Sequence, residues 1–161
     1  MIPPFNTEGV LPFGRYETDV GEVEQRLVMT FPRSLTRKEL YGGWRRRREE
    51  LASILEFESE WVDGSFVTAK RDAGDIDVVV LAEAAKIDAL SREDKERVAE
   101  LATGLRSRLV FGCHSFLLAE VPEGHPNHDR YIRMRGYWDD FWSRRRDSAG
   151  GKGYLEVRGK P

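Results

Sequence analysis

The run Trp61, Val62, Asp63, Gly64, Ser65, Phe66, Val67, Thr68 is followed by Asp75, Ile76 and Asp77, with nine residues between Ser65 and Asp75. Side chains alternate across a strand, so Asp75 and Asp77 share one face and Ile76 takes the other. Two carboxylates side by side repel unless a cation sits between them, and a hard divalent metal with oxygen ligands meets that need. A Gly-Ser turn suits the complementary task. Glycine lets the backbone approach a phosphate closely, and amides and a hydroxyl at a helix start can hold it. Alone, a Gly-Ser pair is common and an Asp-x-Asp pair can be a solvated turn. The run Val78, Val79, Val80, Leu81 separates the two readings. A continuous apolar run reads as a strand covered on both faces, where an uncompensated acid is costly.

Phosphate grip and metal carboxylates at this spacing resemble the nucleotidyltransferase superfamily of DNA polymerase beta, whose signature is Gly-Ser, a gap of this length, then Asp-x-Asp. The resemblance implies that Asp75 and Asp77 bind Mg2+ or Mn2+ bridging the triphosphate of a nucleotide, while Gly64 and Ser65 hold the phosphates. Lys70 and Arg71 fall in the connecting loop, where they either add charge to a phosphate or stand as solvated cations. The superfamily usually adds a third carboxylate on a neighbouring strand. After Phe111, Gly112 and Cys113, alternation places His114, Phe116, Leu118 and Glu120 on one face. His114 and Glu120 lie roughly 20 Å apart along a strand, so one site cannot use both. His114 falls early on this strand and Glu120 beside Pro122, so His114 is expected at the site as the third metal ligand. An imidazole supplies neither a carboxylate's charge nor its basicity. Transfer should then be weak or absent unless another acid, such as Asp63, substitutes.

From end to end the chain also resembles an uncharacterised group of small bacterial nucleotidyltransferase-like proteins. The matching pieces are Ile2, Pro3, Pro4 with Asn6, then Gly9 to Pro12, Trp61 to Thr68, and Lys70 before Asp75 to Val78. Further matches are Gly124, His125, Pro126, then Tyr137 and Trp138 before Phe141, and Lys152, Gly153 before a final strand. Only the Gly-Ser and Asp-x-Asp pieces of this second resemblance carry a known mechanism, and it implies no substrate. It is the superfamily resemblance that implies binding of a nucleoside triphosphate with Mg2+, with transfer of a nucleotidyl group to an RNA or protein acceptor as the expected reaction. Toxin–antitoxin or phage-defence pairing with a protein partner belongs to the same expectation. The alternative is a catalytically impaired member serving as a binding or regulatory partner.

Composition bounds these readings. The 161 residues fit one domain, with residues 1–16 as an extended arm docked through Ile2, Phe5, Val10, Leu11 and Phe13. Charged residues make up 34% at a net charge of only −2, so any nucleic-acid site must be local. The single Cys113 between Phe111 and Phe116 reads as a buried thiol and fits a reducing, cytoplasmic setting. The N-terminus lacks a signal-peptide pattern and no apolar run is long enough to span a membrane, so a membrane partner is not expected.

The elements that must position the site are expected as follows. Thr18 or Asp19 caps a short helix, and Ser34 or Thr36 opens a longer one carrying Leu40, Trp44, Leu51, Ile54 and Leu55, weakened by Gly42 and Gly43. Four strands are expected near residues 60–63, 75–81, within 109–121 and at 153–158. A helical turn follows Ser65. Ser91 caps a helix that turns Val98, Leu101 and Leu105 inward. A helix over 127–145 carries Tyr131, Met134, Trp138, Phe141 and Trp142 as a core stripe. Arg45 to Arg48 read as a solvated face paired with Glu49 and Glu50, and Arg144 to Arg146 as helix C-terminal cations, each against a weaker RNA-binding reading. His125 and His128 make a poor metal pair beside Pro126. Helices and strands intermixed in this order give α+β, a small mixed β-sheet with flanking helices around a nucleotidyltransferase-like core.

Overall fold

A computed structural model describes residues 1–145 and 150–159. It is α+β, with a five-stranded mixed sheet between two helical layers. The strands are β1 (Gly14–Thr18), β2 (Ser59–Asp63), β3 (Ile76–Glu83), β4 (Cys113–Glu120) and β5 (Gly153–Arg158). Their order across the sheet is β1-β5-β2-β3-β4. The β1–β5 and β3–β4 pairs are parallel, and β2 runs antiparallel to both β5 and β3. The helices are α1 (Val20–Glu24), which continues as a wider turn to Met29, α2 (Arg37–Ala52), α3 (Ala84–Asp88), α4 (Arg92–Ala102), α5 (Gly104–Phe111) and α6 (His128–Ser143).

Alternation along the strands divides the core. Val62, Val78, Val80, Leu155 and Val157 point to one face and pack with residues of α1, α2 and α4, among them Val23, Trp44, Leu51 and Val98. Trp61, Val79, Leu81, Leu118 and Tyr154 point to the other face, under Tyr131 and Trp142 of α6. No helix among the described residues is long and apolar enough to cross a membrane.

Most expected elements are present, and the departures have physical causes. The Asp19 carboxylate accepts from the Glu22 amide at 2.8 Å and Ser91 Oγ from the Asp94 amide at 3.0 Å, as the capping patterns predict. The arm is shorter than 1–16, because residues from Gly14 onward pair with β5 as a fifth strand. Leu105 does not turn inward: α4 ends at Ala102 and Leu105 stands 70% exposed on a separate helix, α5. That helix occupies the front of the segment expected as strand, so β4 begins only at Cys113, whose buried thiol is pushed up to about 12 by desolvation. Gly43 does more than weaken α2. A Cβ there would lie 2.4 Å from the Phe111 carbonyl oxygen, so glycine lets α2 and α5 approach closely.

The Arg45 to Arg48 run is only half a solvated face. Arg45 pairs with Glu49 at 2.8 Å as expected, but Arg47 and Arg48 are fully buried against Glu60 of β2. Trp44 Nε1 donates to Glu60 Oε2 at 2.9 Å and Arg48 Nη1 to the same oxygen at 2.8 Å, while Arg47 bonds Oε1. Burial opposes ionisation of Glu60, but the two guanidiniums win and hold its carboxyl below the usual range. The α6 aromatic stripe also divides. Tyr131 and Trp142 are core, while Met134, Tyr137 and Phe141 are 40–53% exposed. Arg144 bonds Asp140 in place of the helix end, and Arg146 lies outside the described residues.

Candidate functional site

Strand register builds the site as a row. Asp63 at the end of β2 lies opposite Asp77 near the start of β3, and Asp77 lies beside His114 near the start of β4. All three share the α6 face of the sheet by parity with Trp61, Val79 and Leu118. The turn after β2 is pressed against this row. Gly64 has φ +86°, and a Cβ built on it would lie 2.7 Å from Asp77 Oδ2, so only glycine fits between β2 and that carboxylate.

The loop from Ser65 to Asp75 is closed by its own polar groups. Ser65 Oγ accepts from the Gly74 amide at 3.0 Å, which folds the loop back and brings Asp75 beside the turn. Ser65, Phe66 and Val67 form one short helical turn, and Thr68 Oγ1 caps it by donating to the Ser65 carbonyl at 2.8 Å. The N-terminal arm seals the outside through a Val10–Thr68 bridge and a 2.8 Å bond from the Ala69 amide to the Gly9 carbonyl.

A fully buried cation underpins the loop, which sequence reasoning missed. Arg37, at the start of α2, has no buried carboxylate partner among the described residues; its guanidinium donates to five backbone carbonyls, those of Leu27, Phe66, Thr68, Lys70 and Arg71, at 2.7–3.2 Å. Four of the five belong to the loop, so one planar fork fixes the path between the Gly-Ser turn and Asp75. Burial pulls this guanidinium down to about 10, which leaves it charged at neutral pH. An arginine at a helix start carries no sequence signal for such a role.

Gly64, Ser65, Lys70, Asp75 and Asp77 all line one cavity of about 460 Å3. Its far wall comes from the end of α6 and the segment before β5, through Phe141, Trp142, Arg144, Arg145 and Lys152. Asp75 faces Arg108 of α5 at 3.4 Å. His114 stands beside the acids, its Nδ1 3.3 Å from Asp77 Oδ1, as expected from its place early on the strand. Glu120 is at the other end of β4, where its Oε1 accepts from the Tyr131 hydroxyl at 2.7 Å. His125 and His128 do not join: His125 Nδ1 accepts from the Asn127 amide and His128 contacts the Val121 carbonyl.

Asp63 is a second acid-bearing neighbour of Asp77, and it is held by Lys152, whose ammonium bonds both carboxylate oxygens. Burial pushes the Asp63 carboxyl up to about 6, against the pull of Lys152 and with help from the Asp77 charge. Lys152 is therefore the cation for the most buried of the three acids, Asp63, Asp75 and Asp77, that line the cavity. Among the described residues no three His, Cys, Asp or Glu side chains converge closely enough to make a metal cage. Two carboxylates with room for phosphate and water still fit magnesium, which is commonly held by one or two acids plus substrate oxygens.

Comparison with known proteins gives one match. Residues 3–158 match a family described as a family of unknown function (DUF6932). No curated protein and no solved structure matches the chain.

Proposed function

The chain belongs to DUF6932, a family of unknown function, and from its site we propose that it binds a nucleoside triphosphate with Mg2+ or Mn2+ and transfers a nucleotidyl group to an RNA or protein acceptor. The observation that carries the reading is the seating of Gly64 against Asp77, with no room for a Cβ between them. Phosphate grip and metal carboxylates then form one surface of one cavity.

In this reading Asp75 and Asp77 hold the cation, which supplies charge neutralisation between the acids and the phosphates when bound. The Gly64–Ser65 backbone receives the phosphates, and Lys70 and Arg144 bring positive charge to opposite walls of the cavity. His114 contacts Asp77 and fixes its orientation at 3.3 Å. Lys152 neutralises Asp63, which limits the repulsion among the three carboxylates, Asp63, Asp75 and Asp77, that line the cavity.

One observation favours a second reading. The position beside Asp77 on β4 carries an imidazole, and Glu120 is out of reach, so an attacking hydroxyl finds no third acid on that strand. The chain then acts as a nucleotide-binding or regulatory partner without turnover, in a toxin–antitoxin or phage-defence pair. Both readings are tested together. Calorimetry with each nucleoside triphosphate and Mg2+ on wild type and Asp77→Asn should show metal-dependent binding that the variant loses. Transfer of label to RNA or protein then marks the enzyme, and binding without transfer marks the partner. Equal binding by Asp77→Asn refutes both.

A further inference from the structure

The exposed face of α6 carries a row of side chains outside the core, which meets the cation cavity only at its C-terminal end, through Phe141 and Arg144. At 100° per residue, Arg130, Arg133, Met134, Tyr137 and Phe141 fall within about 60° of one line along the helix, and Arg144 follows just past its end in extended backbone. Its helical part, from Arg130 to Phe141, runs about 17 Å at 1.5 Å per residue. Tyr131 and Trp142 point away from it into the sheet. Tyr137 is 53% and Phe141 45% exposed, and their rings lie parallel, 5.8 Å apart at 16°. Arg130 and Arg133 are exposed and have no carboxylate partner among the described residues. Asp139 lies off the row, bonded to the Tyr154 hydroxyl, and Asp129 borders the row one turn before Arg133. Asp140 borders it and is engaged by Arg144.

The row joins two cavities. At one end Arg130, Met134 and Trp138 line a cavity of about 590 Å3 against Phe116 and Leu118 of β4. At the other, Phe141 and Arg144 form the wall of the cavity that holds Asp75 and Asp77.

We propose that this face binds a single-stranded polynucleotide, its bases stacked on Tyr137 and Phe141, its phosphates on Arg130 and Arg133, and one end led into the Asp75–Asp77 cavity. Exposed aromatic faces next to unpaired arginines are the elements of sequence-tolerant single-strand binding, because every base offers a π-face. A second copy of this chain laid on the same face would set arginines against arginines. The acceptor role rests on the nucleotidyl-transfer reading above, but the binding face stands on the row alone. Its charge is local, in a chain whose net charge is −2, so binding should be salt-sensitive with a shallow slope.

The test is fluorescence anisotropy with labelled 12-nucleotide RNA and DNA of one mixed sequence, in the absence of nucleotide and metal. Wild type should bind saturably, with the two arms showing whether the sugar matters. Tyr137→Ala/Phe141→Ala should weaken binding about tenfold or more while circular dichroism stays unchanged, since both side chains are largely exposed. Arg130→Gln/Arg133→Gln should flatten the log–log salt slope by about 1.4, at roughly 0.7 per phosphate contact on a single strand. No saturable binding by wild type, or unchanged binding by the aromatic variant, overturns the proposal. A dimer that the aromatic variant dissolves, with neither oligonucleotide bound, overturns it in favour of self-association. Oligonucleotide binding without metal–nucleotide binding refutes the transfer reading and leaves this face intact; the converse refutes this face alone.

Discussion

Gly64→Ala is the sharpest probe of the site, because two separate penalties meet at that residue. Its backbone has φ +86° and ψ −166°, a region populated essentially by glycine, and forcing another residue there costs about 1–3 kcal/mol. The added methyl would also lie 2.7 Å from Asp77 Oδ2 and 3.3 Å from Asp77 Cγ, so the carboxylate must swing away or the turn must lift. An overpacking strain of about 1–3 kcal/mol is typical of such a clash, which brings the expected loss to roughly 2–6 kcal/mol. A double-mutant cycle separates the two. In an Asp77→Ala background the carboxylate clash is gone, leaving the backbone penalty and a 3.3 Å contact with the main-chain amide, so Gly64→Ala should cost about 1–3 kcal/mol less there. Urea denaturation of the four proteins measures the coupling, and Mg2+ titration of the folded Gly64→Ala variant should show weakened binding. A coupling energy near zero, or a Gly64→Ala protein of wild-type stability and Mg2+ affinity, refutes the placement of the turn against Asp77.

Three further outcomes follow from buried groups. Arg37→Lys supplies at most three donors where five carbonyls are served, so it should lower stability by about 2–4 kcal/mol, a fall of roughly 5–15 °C in Tm by scanning calorimetry; an unchanged Tm would show the loop to be held by other means. Glu60→Gln leaves Arg47 and Arg48 buried without a counter-charge and should cost about 3–5 kcal/mol in urea denaturation, a large share of a typical domain's stability. A midpoint within error of wild type contradicts the buried triad. Asp63 binds its proton more tightly folded than unfolded, so its contribution to stability falls as pH rises from about 4 to about 6 and stays lost above that. The stability difference between wild type and Asp63→Asn, measured metal-free across that window, should therefore move against wild type with rising pH; the opposite slope would mean that Lys152 outweighs burial.

Local patterns in the sequence were enough for several elements and for the pairing of motifs at the site. Period-two alternation put Asp75 with Asp77 and His114 with Glu120, and the apolar run at Val78 to Leu81 gave β3 its buried character. Asp19 and Ser91 marked helix starts because a cap is a bond between near neighbours. Alternation alone could not choose between His114 and Glu120. That choice belongs to the β3–β4 register, a contact between segments 37 residues apart, which sets His114 beside Asp77.

The rest was decided by groups that meet only in the folded chain. Residues 14–18 carry no strand pattern strong enough to stand out from the arm, and they become β1 because β5 offers an open edge. Arg47 and Arg48 look like a solvated charge run because sequence shows neither Glu60 nor the closed core around it, and burial of a charge is permitted only by a partner from another element. The same holds for Arg37 under the Gly-Ser loop and for Lys152 on Asp63, which are 33 and 89 residues from the groups they serve. The sequence by itself determined which carboxylates share a strand face and where a Gly-Ser turn precedes them, since that depends on residue type and strand parity. Tertiary structure alone decided which charges are neutralised inside the protein and which remain turned to the cavity, because a charge is priced by its surroundings and not by its neighbours along the chain.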